Sequence, residues 1–171
     1  MTVWLGWSSP EVHNHAPPGY LCPFCAVVAG VEADYCYTKQ ADIVLRAVHV
    51  TGFISSHGWP RNPGHVILVP NAHHENIYEL PDEFGTSLFA ASRRIALAMK
   101  AAYACDGVST RQHNEPAGNQ DVWHFHLHVF PRYSGDDLYL RTAERTFTQP
   151  FQRLPYAEKL KSALDRTDLG E

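Results

Sequence analysis

Three histidines alternate with apolar residues in the run His124-Phe125-His126-Leu127-His128. In a strand, successive side chains point to opposite faces, so the three imidazoles would line one surface about 7 Å apart. Phe125, Leu127 and Val129 would then face a core. A neutral imidazole is a competent nucleophile near pH 7, because its ordinary pKa is about 6.5. It can attack phosphorus, carry the group covalently and be displaced by water. A neighbouring histidine can protonate the leaving group. The same three rings could instead bind a metal, or form a polar strand face.

A second reactive cluster is Cys22-Pro23-Phe24-Cys25. Its C-x-x-C spacing suits half of a zinc site or a redox pair. The redox reading is the weaker one, since the pair follows a Pro-rich arm and no strand precedes it.

Several elements must position these groups. The pattern predicts an arm over residues 1–20, with His13 and His15 as solvated tail residues. A strand is expected over 43–56 with a bend or bulge at Gly52, a loop over 57–64, and a buried strand over 65–70 ended by Pro70. Asp82 and Glu83 suit a helix start. Phe84, Leu88, Ala91, Ile95, Met99 and Tyr103 then recur at helical spacing, with an end near Asp106-Gly107. Residues 108–113 read as a strand and 114–121 as a polar loop. Val122 to Phe130 reads as the histidine strand, stopped by Pro131. A short helix near Pro155 would place Tyr156, Ala157, Leu160 and Leu164 on one face. The expected class is α+β with a mainly antiparallel sheet.

The 171 residues fit one domain. Hydrophobic residues are 44% of the chain, enough for a core. The formal net charge is −4 and no basic stripe appears, which disfavours a nucleic acid polymer as partner. One small anion remains possible. No stretch of about 18 apolar residues occurs, and no basic residue precedes Lys39, so neither a membrane span nor a leader is expected. The expected location is the cytoplasm.

Taken with its flanks, the run resembles the histidine triad (HIT) family over residues 21–133. His124-Phe125-His126-Leu127-His128-Val129-Phe130, followed by Pro131-Arg132, matches the family's alternating signature. Asn62-Pro63-Gly64-His65 through Pro70-Asn71-Ala72-His73 is similar to its other recurrent stretch, and Cys22/Cys25 to the cysteine pair of many bacterial members. The resemblance implies a HIT-like fold over 21–133, with residues 134–171 as an extension packing on it. It implies a hydrolase of nucleotides or dinucleoside polyphosphates that works through a phosphohistidine. Phosphoramidate cleavage and nucleotidyl transfer are its variants, and a non-catalytic nucleotide-binding module is the alternative. His126 would be the nucleophile, and His128 the phosphate contact and leaving-group aid. His113, Asn114, Gly118, Asn119 and Gln120 would bind substrate. Cys22, Cys25, His73 and His124 would hold structural zinc, with His74 or Cys36 as substitutes. His57 stands where many members carry a ribose-binding acid. Asp121 stands where Ser or Thr is common, and would turn away, pair with Arg132 or hold a protonated histidine. Asn119 stands where glycine is usual. A homodimer is also implied.

Overall fold

The computed structural model describes residues 13–168, so the expectations for residues 1–12 lie outside the described residues. The elements are α1 (Pro23–Ala29), β1 (Ile43–Arg46), β2 (Val50–Ile54), β3 (His57–Gly58), β4 (Val66–Pro70), α2 (Asp82–Tyr103), β5 (Gly107–Gln112), β6 (Leu127–Arg132), β7 (Thr146–Phe147) and α3 (Pro150–Asp168). Five strands form an antiparallel sheet in the order β1-β2-β4-β6-β5. The α+β expectation holds. Among the described residues no helix is long and apolar enough to cross a membrane.

The central strands are apolar on both faces because both faces are covered. On β4, Val66 and Leu68 pack towards α2 and α3 with Ile95, Met99 and Leu160. Ile67 and Val69 point the other way, with Phe53, towards Phe24 and Val27 of α1. On β6, Leu127 and Val129 join the helical side. The histidines therefore open on the α1 side.

Several expectations are corrected. The strand over 43–56 is a hairpin whose turn, residues 47–49, is closed by Ala47 N–H donating to Val50 O at 2.8 Å. Asn71 Nδ2 caps that turn by donating to the carbonyls of Ala47 and Val48. Gly52 makes no bend in its own strand, but the β1–β2 register slips opposite it, between Ile43 and Leu45, which pair with Phe53 and Gly52. Gly52 lies in the ladder opposite Leu68, where a Cβ would come within 2.7 Å of Leu68 Cδ2. Residues 57–64 are not wholly loop, because His57–Gly58 pairs with β7 of the C-terminal extension.

The histidine strand is shifted. The ladder starts at Leu127, not Val122, and runs through Pro131 to Arg132. Pairing of β6 with β4 ends at Val129, so Pro131 borders β5 alone and its missing N–H is tolerated. Ahead of the ladder, Phe125 N–H donates to His74 O at 2.6 Å, and this anchor preserves the alternation of faces.

The long helix α2 begins at Asp82, as its periodicity implies, and ends at Tyr103. Ala104 takes the left-handed cap conformation (φ 51°), and Lys100 Nζ donates to Cys105 O at 2.6 Å. The C-terminal helix is not short. It spans 19 residues from Pro150, buries Ala157, Leu160 and Leu164, and carries Pro155 within it. A buried ion pair clasps it to the domain: Arg153 Nε and Nη2 donate to Asp42 at 2.9 and 2.7 Å. His13 and His15 are not free tail residues. His15 bonds Glu115 at 3.1 Å and its ring lies 5.5 Å from that of Trp123, while the Glu75 carboxylate accepts from His15 and Ala16 N–H.

Candidate active site and metal cluster

His126 is 2% exposed and lines a cleft of about 750 Å³. Its Nδ1 lies 2.7 Å from the His124 carbonyl. A carbonyl only accepts, so Nδ1 carries the proton and Nε2 keeps its lone pair for the cleft. Burial holds the imidazole below its ordinary pKa, which keeps it neutral. The ring edge-packs on Phe24 at 5.3 Å, which fixes its plane.

His128 follows on the same face. Its Nδ1 lies 2.9 Å from His65 Nε2, so one proton is shared between them. His65 stacks on Phe130 at 3.9 Å, and burial pushes its pKa down to about 3. Burial also holds His128 well below its ordinary value. A chain of neutral rings thus runs from His65 through His128 to His126, whose centroids are 4.9 Å apart.

The other expected residues divide into two groups. His57, His113, Asn119 and Gln120 line the cleft. His113 Nδ1 donates to Gly118 O at 2.6 Å, so His113 is oriented by the loop backbone. Asn119 has φ 69°, a conformation that asparagine tolerates better than most residues, which accounts for a non-glycine there. Asn114 and Gly118 are not among the cleft residues. The Asn114 side chain is tied to Ile77 N–H and to Gln112. The Gln120 side chain is buried and frames the loop, bonding Glu115 N–H, Glu75 O and Val122 O. Asp121 lines the cleft and pairs with Arg145 at 3.4 Å. Arg132, one of the alternatives expected for it, is held by Asp136 instead.

Sequence reasoning gave no role to Arg111, Thr142 or Arg145, which also line the cleft. Arg111 lies opposite His128 across the β5–β6 ladder, and that register is not readable from spacing. Thr142 and Arg145 arrive from the extension when β7 pairs with β3.

Beside His126, the ligand atoms of Cys22, Cys25, His73 and His124 all lie within 4.8 Å of one another. Cys22 Sγ and Cys25 Sγ are 3.3 and 3.6 Å from His124 Nδ1, and Cys25 Sγ is 3.2 Å from His73 Nδ1. A tetrahedral zinc ion with ordinary bond lengths separates sulfur from nitrogen by about 3.5 Å, so the donor set fits. His124 Nε2 lies 3.0 Å from Pro70 O and must donate to it, which leaves Nδ1 unprotonated for a metal. Burial pushes His124 down to about 3, favouring the neutral ring a metal takes, whereas burial pushes the Cys22 thiol up to about 12. A bound cation reverses the second shift, because coordinated thiol is deprotonated. The cluster is a structural zinc site of the Cys₂His₂ kind, joining α1, the turn after β4 and the lead-in to β6.

An antiparallel sheet carrying neutral alternating imidazoles over a cleft, with a Cys₂His₂ cluster at one end, defines the class. The chain belongs to the histidine triad family: the HIT domain model matches residues 38–135. It is 33% identical to Protein hit of Bacillus subtilis over 117 residues, 68% of this chain and 74% of that one. It is 33% identical over 73 residues to an adenosine 5'-monophosphoramidase of Saccharomyces cerevisiae, covering 43% of this chain and 44% of that one. A Zn-bound histidine triad family protein from Mycobacterium smegmatis superposes with TM-score 0.71 at 28% identity, covering 88% and 97% of the two chains.

Proposed function

We propose that the chain is a hydrolase that attacks a phosphorus atom of a nucleotide or dinucleoside polyphosphate through a covalent phosphohistidine on His126. The observation that carries this is the His126 ring, neutral and oriented by the His124 carbonyl, with Nε2 left for the cleft. Nε2 forms the N–P bond as the bond to the leaving group breaks. The developing imidazolium keeps its Nδ1–H on the carbonyl, which stabilises the charge. With the shared proton on His65 Nε2, His128 holds its own proton on Nε2 and donates it as a hydrogen bond to the leaving-group oxygen, which departs as an anion. Water then breaks the N–P bond and restores His126. The cleft's apolar wall, with Phe24, Phe53 and Ile67, supports a nucleobase or sugar there, and His57 supplies a ring nitrogen to a hydroxyl. His113 and the backbone at Asn119 would contact the phosphate.

Phosphoramidate cleavage, named for the yeast relative, uses the same intermediate with another leaving group. Transfer to inorganic phosphate uses it with another acceptor. His126→Asn and His126→Ala are expected to abolish turnover across a panel of phosphoanhydrides and phosphoramidates while circular dichroism stays native. Mass spectrometry of the quenched wild-type enzyme should show a nucleotidyl adduct on His126. Near-native turnover in either variant sinks the nucleophile assignment. Tight nucleotide binding with no turnover would replace the enzyme by a binding module.

A further inference from the structure

Two cations face the cleft, and the proposed chemistry does not use them. Arg111 lies directly across the ladder from His128. Its guanidinium sits over the rings of Trp59, Phe130 and Tyr139 at 5.5, 5.1 and 5.5 Å. Among the described residues it has no carboxylate partner, and its buried Nε has no hydrogen bond. Burial holds its pKa below the ordinary arginine value, the mark of a partly desolvated charge. Arg132 makes the contrast. It also lies over Tyr139, at 4.9 Å, but a bidentate grip on Asp136 at 2.7 Å neutralises it. A desolvated, unpaired charge is costly unless something binds it. A guanidinium's planar fork matches phosphate oxygens.

Arg145 is the second cation. Its side chain is 43% exposed, and its ion pair is with a still more open Asp121 at 3.4 Å. Such a pair contributes about 0–1 kcal/mol, so a stronger anion can displace the carboxylate. Arg145 comes from residues 134–171, almost all of them beyond the segment the family model matches. It is held in place because β7 pairs with β3 and Arg153 clasps Asp42. Among Lys, Arg, Asp and Glu, the cleft is lined by Arg111, Arg145 and Asp121, a balance of +1 in a chain of net charge −4.

We propose that Arg111 and Arg145 form a leaving-group subsite, making the C-terminal extension a specificity element that favours an oligophosphate leaving group over an amine. This rests on the hydrolase reading above for its kinetic consequence, though not for its binding. As His126 Nε2 bonds to phosphorus, the P–O bond to the bridging oxygen breaks and its electron pair stays on the departing phosphate. Both guanidinium groups face that growing charge. Asp121 is released from Arg145 as the anion enters. An amine leaving group offers neither arginine a partner.

Calorimetric titration with inorganic tripolyphosphate and with AMP tests the subsite without turnover. Arg145→Gln and Arg111→Gln are expected to weaken tripolyphosphate relative to AMP by about tenfold or more, the scale of one charge-assisted bond. Asp121→Asn is expected to tighten it, since Arg145 loses its competitor. Arg111→Lys, which keeps the charge without the fork, should fall between. The matching kinetic readout is the ratio of kcat/KM for diadenosine triphosphate over adenosine 5'-phosphoramidate, which should drop by a similar factor in Arg145→Gln. An unchanged affinity ratio in both glutamine variants overturns the subsite, as does weaker binding in Asp121→Asn. Arginine-dependent tripolyphosphate binding in a protein that turns over neither substrate upholds the subsite and removes the hydrolase reading instead.

Discussion

His124 and His126 are two residues apart and point the same way, yet their ring nitrogens are committed differently. In His124 Nε2 carries the proton and Nδ1 faces the cysteines; in His126 Nδ1 carries the proton and Nε2 faces the cleft. Each tautomer is set by a backbone carbonyl. Asp136 shows the same dependence on neighbours. It is buried at 3% exposure and accepts from Arg132, Asn62, Tyr133 N–H and Leu138 N–H. Led by the Arg132 bonds, these hold its carboxyl far below its ordinary 3.8. A depressed carboxyl pKa adds stability that is fully present above the unfolded value and shrinks as pH falls towards the folded one. Melting temperature should therefore fall between about pH 4 and pH 2, and Asp136→Asn should flatten that fall. At neutral pH the same variant should cost about 1.5–3 kcal/mol, the scale of a bond to a charged group. Unchanged denaturant midpoints would count against this.

At the scale of elements, the metal cluster joins segments that pair with each other only partly. Cys22 caps α1 by accepting from Cys25 N–H, so the seven-residue helix α1 presents both thiols at its start. So short a helix is marginal alone, and metal binding couples directly to its docking. Metal analysis should find about one zinc per chain. Cys22→Ser, or chelation, is expected to remove the ion and lower the melting temperature. An identical melting curve with and without chelator would show that α1 is held by Phe24 and Val27 alone.

At the scale of the molecule, the extension stabilises as well as lines the cleft. Arg153 and Asp42 are each buried, and Arg153 also donates to the carbonyls of Tyr37 and Thr148. Arg153→Ala strands a buried carboxylate and should cost about 3–5 kcal/mol, read as a shift in urea midpoint. A shift typical of surface sites would show that α3 docks through Leu160 and Ala157 only. For the homodimer that the family resemblance implies, we infer α2 and the edge strand β5 as the contact. Phe89 and Leu97 of α2 are 75% and 49% exposed. Light scattering should give twice the 19.2 kDa chain mass, and a monomer at micromolar concentration would refute the inference.

Some of this molecule could be read directly from the chain, because the signals are local. The period of Phe84, Leu88, Ala91, Ile95 and Met99 sets α2 without reference to any partner. Alternation at 124–128 sets which rings share a face. The resemblance of the cysteine pair and the two recurrent stretches to those of the family implies the four metal ligands. What needed the tertiary structure is non-local. The hairpin at residues 47–49 depends on Asn71, more than twenty residues away. The late start of β6 depends on where β4 and β5 pair with it. Arg111 reaches the cleft only through its register with His128, and Arg145 only because the extension folds back. Spacing along a chain reports a side chain's face within its own element. Which face meets which is decided by pairing and packing between distant segments, and there the cleft acquired its two arginines.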